Sequence, residues 1–411
     1  MEEPGFSGLL LVVAAAFASP FLLGLVPRLR LPSVVFEIVL GIIIGPSVLG
    51  WVELDATIEV LALIGLAFLL FLAGLEIDFS RLRGRLLKLA TVGWLVSFAI
   101  AIVVSLGLKA ADLVETPLLV AIILCATSLG VIIPVLKDVG ELSTRFGQLV
   151  LAAASIADFG AVLLLSFFFS GEGGPGSTAI LLAVFLGLLA ITFVVVRTAE
   201  RSRAIEDDLL AQQDSSAQIR VRAAMVLMIA FVALAEGLGL EVILGSFAAG
   251  ALLSLLDPDQ RMTHPQFRVK LEAIGFGLFI PVFFVTSGIR FDLDALLAEP
   301  SNLIMVPIFL AALLAVRGLP AVLYRGFVGE RRAAIAGVLQ ATSLPFIVAA
   351  TTIGMDLGLM DAAEASALIA AGLASVLIFP ISGLTMLRRA MREEGKQPPP
   401  ITPEPRPQTA I

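Results

Sequence analysis

Apolar residues in this chain come in blocks of about 17–27, the length a helix needs to cross a hydrocarbon core ~30 Å thick. Nothing else in the sequence constrains its fold so strongly. The composition agrees. Of 411 residues, 59% are hydrophobic and 15% charged, and the mean hydropathy is +1.03. A water-soluble globule carries about 25% charged residues, so this chain has too little polar surface to coat one. The expected fold class is an all-α polytopic membrane protein.

The same features exclude other classes. A net charge of −7 argues against a nucleic-acid partner, which needs a basic face. Cys125 is the single cysteine and cannot form an intrachain disulfide. One histidine rules out a His-rich metal site, and without clustered His, Cys or Asp ligands no cofactor and no enzymatic activity are expected. The first apolar block follows Met1-Glu2-Glu3 rather than a basic segment and is span-length. It therefore reads as a retained helix, not a signal peptide.

Thirteen spans are expected, at about 6–26, 33–49, 57–74, 89–108, 116–135, 145–170, 178–196, 221–238, 239–256, 271–288, 301–324, 332–354 and 362–387. The basic residues fall in alternate loops, among them Arg28 and Arg30, Arg81 to Lys88, Arg261 to Lys270, and Arg388 to Arg406. The intervening loops carry only Lys109 and Arg290 among acids such as Glu53, Asp55, Asp112, Asp356 and Asp361. Positive charge stays on the cytoplasmic side, which puts the N-terminus outside and the C-terminus inside. The expected location is the cell (inner) membrane, multi-pass. A polar stretch around 198–220 reads as a connector between two halves, and His264 as a solvated loop residue. Residues 391–411 are Pro-rich and expected to be a disordered cytoplasmic tail after a 1–390 transporter domain.

Three short matches recur in order. Glu37-Ile-Val-Leu-Gly41 returns as Glu241-Val-Ile-Leu-Gly245. Phe71-Leu-Ala-Gly74-Leu-Glu-Ile-Asp78-Phe resembles Val285-Thr-Ser-Gly288-Ile-Arg-Phe-Asp292-Leu. Ala126-Thr127-Ser128-Leu129 returns as Ala341-Thr342-Ser343-Leu344. The repeated unit holds five spans, and an odd number of spans separates its copies, so they are expected to be inverted. Inverted repeats are a mark of secondary transporters, which must offer similar gates to both sides.

The fifth and twelfth spans are interrupted at equivalent places. Thr127 and Ser128 precede Gly130 and Pro134, and Thr342 and Ser343 precede Pro345. Paired breaks of this kind point to a midplane ion site. Asp158 lies mid-span in Ser155-Ile156-Ala157-Asp158, too far from either end to reach water along its own helix. Intramembrane carboxylates are functional by default, and hard cations prefer oxygen ligands. Asp158 is thus the expected group that trades a proton for an alkali cation. Arg317 is the lone cation inside a span. It has three readings: it counters carbonyl ends of the broken helices, neutralises an empty Asp158, or snorkels toward Arg325. Glu37 and Glu241 read equally as packing residues or as part of a cation path.

These pieces together, with Phe283-Phe-Val-Thr-Ser-Gly288 and Arg317-Gly318, resemble the monovalent cation:proton antiporter-2 family over the first 390 residues. The resemblance implies two inverted five-helix repeats with crossed broken helices, a homodimer, and elevator-like alternating access. It implies a panel (spans about 6–74 and 221–288), a core (about 89–170 and 301–387) and a linker helix (about 178–196). By resemblance Asp158 binds cation and proton, Thr127 and Ser128 lend oxygens, and Ser155, Thr342, Ser343 and Arg317 support the crossing. Many relatives place Asp, Asn or Gln before the key aspartate, where this chain has Ala157. Electroneutral exchange of Na⁺ or K⁺ for H⁺ is therefore expected. No nucleotide-binding domain of the potassium-efflux type is present in the sequence, so regulation by that route is not expected. The competing reading is an organic-anion symporter on the same scaffold, for which Arg317 would have to hold the anion.

Overall fold

The structure is a computed structural model that describes residues 6–25, 32–77, 84–169, 174–199, 218–256 and 265–394. The described residues form helices and turns with no strand among them. Asp78, His264, most of the connector around 198–220 and residues 395–411 lie outside this set.

The first half comprises α1 (Phe6–Leu25), α2 (Ser33–Ile44), α3 (Ala56–Leu75), α4 (Gly84–Ala110), α5 (Pro117–Leu124), α6 (Leu129–Asp138), α7 (Arg145–Phe169) and α8 (Gly174–Ala199). The second comprises α9 (Ile219–Gly237), α10 (Val242–Leu256), α11 (Pro265–Ile274), a π turn at Gly275–Phe279, and α12 (Ile280–Ile289). It continues through α13 (Leu293–Ala298), α14 (Pro300–Gly318), a 3₁₀ stretch at Leu319–Tyr324, and α15 (Arg325–Val328). It ends with α16 (Glu330–Gln340), α17 (Pro345–Asp356) and α18 (Ala362–Glu393).

Nine helical stretches among the described residues are long and apolar enough to span a membrane, or ten if the bent pair α16–α17 is one span. The sequence reading expects thirteen. Two of the missing spans are the short apolar helices α2 and α10. The expected second span, 33–49, stops as a helix at Ile44 because Gly45 is extended ahead of Pro46, and the residue before a proline is pushed out of the α region. α9 carries Arg220, Arg222 and Glu236 near its ends, which breaks its apolar run. At the other end of the chain, α18 runs to Glu393, so the first three residues of the expected tail are helical.

The packing of the first set of helices depends on close approach. α2 lies along α12, and α3 along α10. A Cβ on Gly41 would fall 2.1 Å from the Val285 carbonyl oxygen, and one on Gly288 2.1 Å from that of Ile38. The other crossing matches it: a Cβ on Gly250 would fall 2.0 Å from the Phe71 carbonyl oxygen, and one on Gly74 2.2 Å from that of Phe247. Small residues let backbones touch in lipid, where burial of apolar surface supplies little drive. Gly41 and Gly250 thus make like contacts, as do Gly74 and Gly288. The Glu37/Glu241 sequence match instead equates Gly41 with Gly245, five residues earlier; Gly245 packs on Phe231 of α9.

The second set gathers around the broken helices. α4 packs on α5, α7 and α14; α18 packs on α14, α16 and α17; and α7 also touches α16. At one end of this set the buried Glu141 accepts two hydrogen bonds from Arg332 of α16, each 3.0 Å, and Arg332 also pairs with Glu394. α8 bridges the two sets through α7 and α10. Large apolar side chains such as Phe6, Leu10, Val103, Ile180 and Val226 point outward, as a lipid-facing surface requires.

Candidate ion site

Both expected helix breaks are present. α5 stops at Leu124 and α6 starts at Leu129; α16 stops at Gln340 and α17 starts at Pro345, turning by 41°. The unwound segments meet. The Ser128 amide donates to the Thr342 carbonyl at 2.9 Å, and the Thr127 hydroxyl donates to the Gln340 carbonyl. Each break strips main-chain groups of helical partners, and each segment supplies partners to the other.

Asp158 stands beside this crossing on α7. Its Oδ1 accepts from the Thr127 amide at 3.3 Å. The positive end of α6 begins two residues further on, where an anionic group is favoured. Asp158, Thr127 and Ser128 line a common cavity of about 290 Å³. Ser155 is buried one turn before Asp158. Thr342 and Ser343 are fully buried, their hydroxyls without hydrogen-bond partners, and neither lines the cavity. Ser343 is held through its backbone, by Ser375.

Arg317 does not snorkel. It is 3% exposed, with Nη1 3.3 Å from the Ser97 hydroxyl and Nη2 3.2 Å from Gln340 Oε1. The Ser97 hydroxyl in turn donates to the Val316 carbonyl at 2.7 Å. The guanidinium thus sits beside the carbonyl end of α16, the negative end of a helix. It makes no ion pair with Asp158 and is not among the residues lining the cavity.

Three neighbours escaped the sequence reading. Gln340 and Ser97 are the partners of Arg317. Gln340 was legible as the one amide in an apolar run directly before Ala341-Thr342; Ser97 gives no such signal. Glu76, within the quoted Gly74-Leu-Glu76 motif, lines the same cavity as Asp158 and lies 3.8 Å from Arg268. Glu37 is buried in α2, and Glu241 is half-buried ahead of α10; neither lines this cavity.

A second cavity, about 320 Å³, lies further along α3 and α12 and is lined by Glu59, Leu66, Phe283, Thr286, Arg290 and Asp356 among others. On α3 the linings change over between Leu66 and Leu69, and on α12 between Phe283 and Phe284. Asp158 belongs to the Glu76 cavity and not to this one.

Crossed, interrupted helices around a mid-span carboxylate define a secondary-transporter architecture. The chain belongs to the sodium/hydrogen exchanger transmembrane family, whose pattern it matches over residues 13–389. It is 31% identical over 412 residues to YjbQ of Bacillus subtilis, covering 97% of this chain and 66% of that protein. To the Na⁺/H⁺-K⁺ antiporter GerN of Bacillus cereus it is 33% identical over 279 residues, covering 66% of this chain and 68% of GerN. The chain therefore spans about two thirds of the length of these relatives. Its fold is similar to that of the sodium proton antiporter MjNhaP1 from Methanocaldococcus jannaschii, with a TM-score of 0.67 at 18% identity, covering 97% of this chain and all of that one. Family membership bears out the resemblance to a monovalent cation:proton antiporter.

Proposed function

We propose that the protein exchanges Na⁺ or K⁺ for protons across the cell membrane, with Asp158 as the group both ions share. The observation that carries this is the Asp158 carboxylate beside the helix crossing, in a cavity it shares with Thr127, Ser128 and Glu76. A protonated Asp158 and a cation-bound Asp158 carry the same net charge. One proton against one monovalent cation then moves no net charge, and Ala157 offers no second group to alter the count.

The two cavities support a reading of alternating access. Asp158 faces the one lined by Ser33 and Glu76, at the end of α3 that leads to the basic run Arg81 to Lys88, which the positive-inside rule assigns to the cytoplasm. This is an inward-open arrangement. The set α4–α7 with α14–α18 is the moving core, which carries the crossing past a panel of α1–α3 and α9–α12; the glycine contacts that lock α2 on α12 and α3 on α10 suit a panel that stays together. The N-terminus is outside, the C-terminus inside, and the working unit is a homodimer.

The organic-anion alternative lacks a receptor here: Arg317 is occupied by Ser97 and Gln340 and does not face the cavity. Cation-driven pH change in proteoliposomes, compared between wild type and Asp158→Asn, tests the proposal.

A further inference from the structure

We propose that Arg290 is a positioning residue for exchange, an outer latch that holds the second broken helix against the static helices while Asp158 is open to the cytoplasm. This rests on the alternating-access reading above. Arg290 caps the end of α12, beside Thr286 and Glu59 in the 320 Å³ cavity. Its Nη2 lies 3.4 Å from Glu59 Oε1 of α3, a helix of the same set. Its Nη1 lies 3.7 Å from Asp356 Oδ1, at the far end of α17, which belongs to the other set.

The chemistry suits a latch better than a structural brace. The three side chains are 24%, 51% and 66% exposed, and ion pairs of that kind stabilise weakly. A strong pair here would trap one conformation; a weak one biases the equilibrium and still lets α17 leave. Behind the pair lies an unfilled space rather than packed side chains. Thr286, a lining residue, is 2% exposed, and its buried hydroxyl has no hydrogen-bond partner. A buried hydroxyl beneath a charged rim suits an outer entrance for a hydrated cation. When the core moves, Asp356 would leave Arg290, and Thr286 would meet external water.

The test uses the full-length protein with Cys125→Ser and Thr286→Cys, in right-side-out vesicles. The rate of labelling by a membrane-impermeant thiol reagent is read without an ion gradient. Arg290→Gln and Asp356→Asn should each raise that rate about two- to five-fold, the range a weak exposed pair allows, and Arg290→Lys should keep it near the parent value. Glu59→Gln, which removes a pair within one set of helices, should leave it unchanged. An unchanged rate in both Arg290→Gln and Asp356→Asn overturns the latch, as does an equal rise in Glu59→Gln. If Arg290→Gln fails to fold, Asp356→Asn alone decides. Because no gradient is used, the latch can fail while cation-proton exchange stands, and loss of the exchange reading leaves the labelling result intact.

Discussion

The main-chain amide of Thr127 lies 3.3 Å from Asp158 Oδ1, while the side chain of the same residue bonds the Gln340 carbonyl across the crossing. One residue thereby ties the carboxylate to the first broken helix and the first broken helix to the second. The two roles separate by substitution. Thr127→Ala keeps the amide and loses the hydroxyl bond, worth about 0.5–1.5 kcal/mol. We expect a protein with a lower melting temperature in detergent that still exchanges cations for protons. Complete loss of exchange in a folded Thr127→Ala protein would move the ion-binding role onto the hydroxyl itself.

Arg317 depends on neutral partners. Truncating Gln340 to Ala leaves a buried guanidinium short of an acceptor, and hydrogen bonds to charged groups are worth about 1.5–3 kcal/mol. Gln340→Ala should therefore destabilise the fold by that amount, and Gln340→Glu, which keeps an acceptor in place, should not. Thermal unfolding of the two variants in one detergent checks the contrast. Equal stability of Gln340→Ala and wild type would mean that Arg317 finds another acceptor.

Much of this arrangement was legible in the sequence, for identifiable reasons. Asp158 and the two Thr-Ser breaks stand out because lipid makes polar residues and interrupted helices costly, so they persist only with cause. The partners of Arg317 were not legible because Ser97 and Arg317 are 220 residues apart, and a lone serine in an apolar helix carries no periodic signal. The short α2 was hidden by the apolar run that continues past Ile44, although Pro46 marked the stop. The match of Glu37 with Glu241 sets Gly41 beside Gly245, whereas the glycine contacts pair Gly41 with Gly288 and Gly74 with Gly250, a spacing that short sequence matches do not carry.

The glycine crossings give a prediction of their own. Gly41→Ala and Gly250→Ala each drive a methyl into a carbonyl oxygen of the neighbouring helix, and overpacking costs about 1–3 kcal/mol. Gly107→Ala, which meets nothing within 4 Å, should be neutral or slightly stabilising in its helix. Melting temperatures that rank the first two below the third support the close approach; equal values for all three contradict it.

Charge balance gives another. With one carboxylate at the crossing and Ala157 beside it, exchange should run at the same rate whether a potassium diffusion potential of either sign is imposed or none. A rate that follows the potential would show that more than one proton moves per cation.

The most direct test of the central claim is the collapse of an imposed pH gradient. Acid-loaded proteoliposomes, with the membrane potential clamped, would receive Na⁺, K⁺ or Li⁺ in turn. The wild-type protein should alkalinise the lumen on addition of Na⁺ or K⁺, and Asp158→Asn should respond no more than protein-free liposomes. A cation response that survives in Asp158→Asn, or its absence in a folded wild-type protein, would contradict the account.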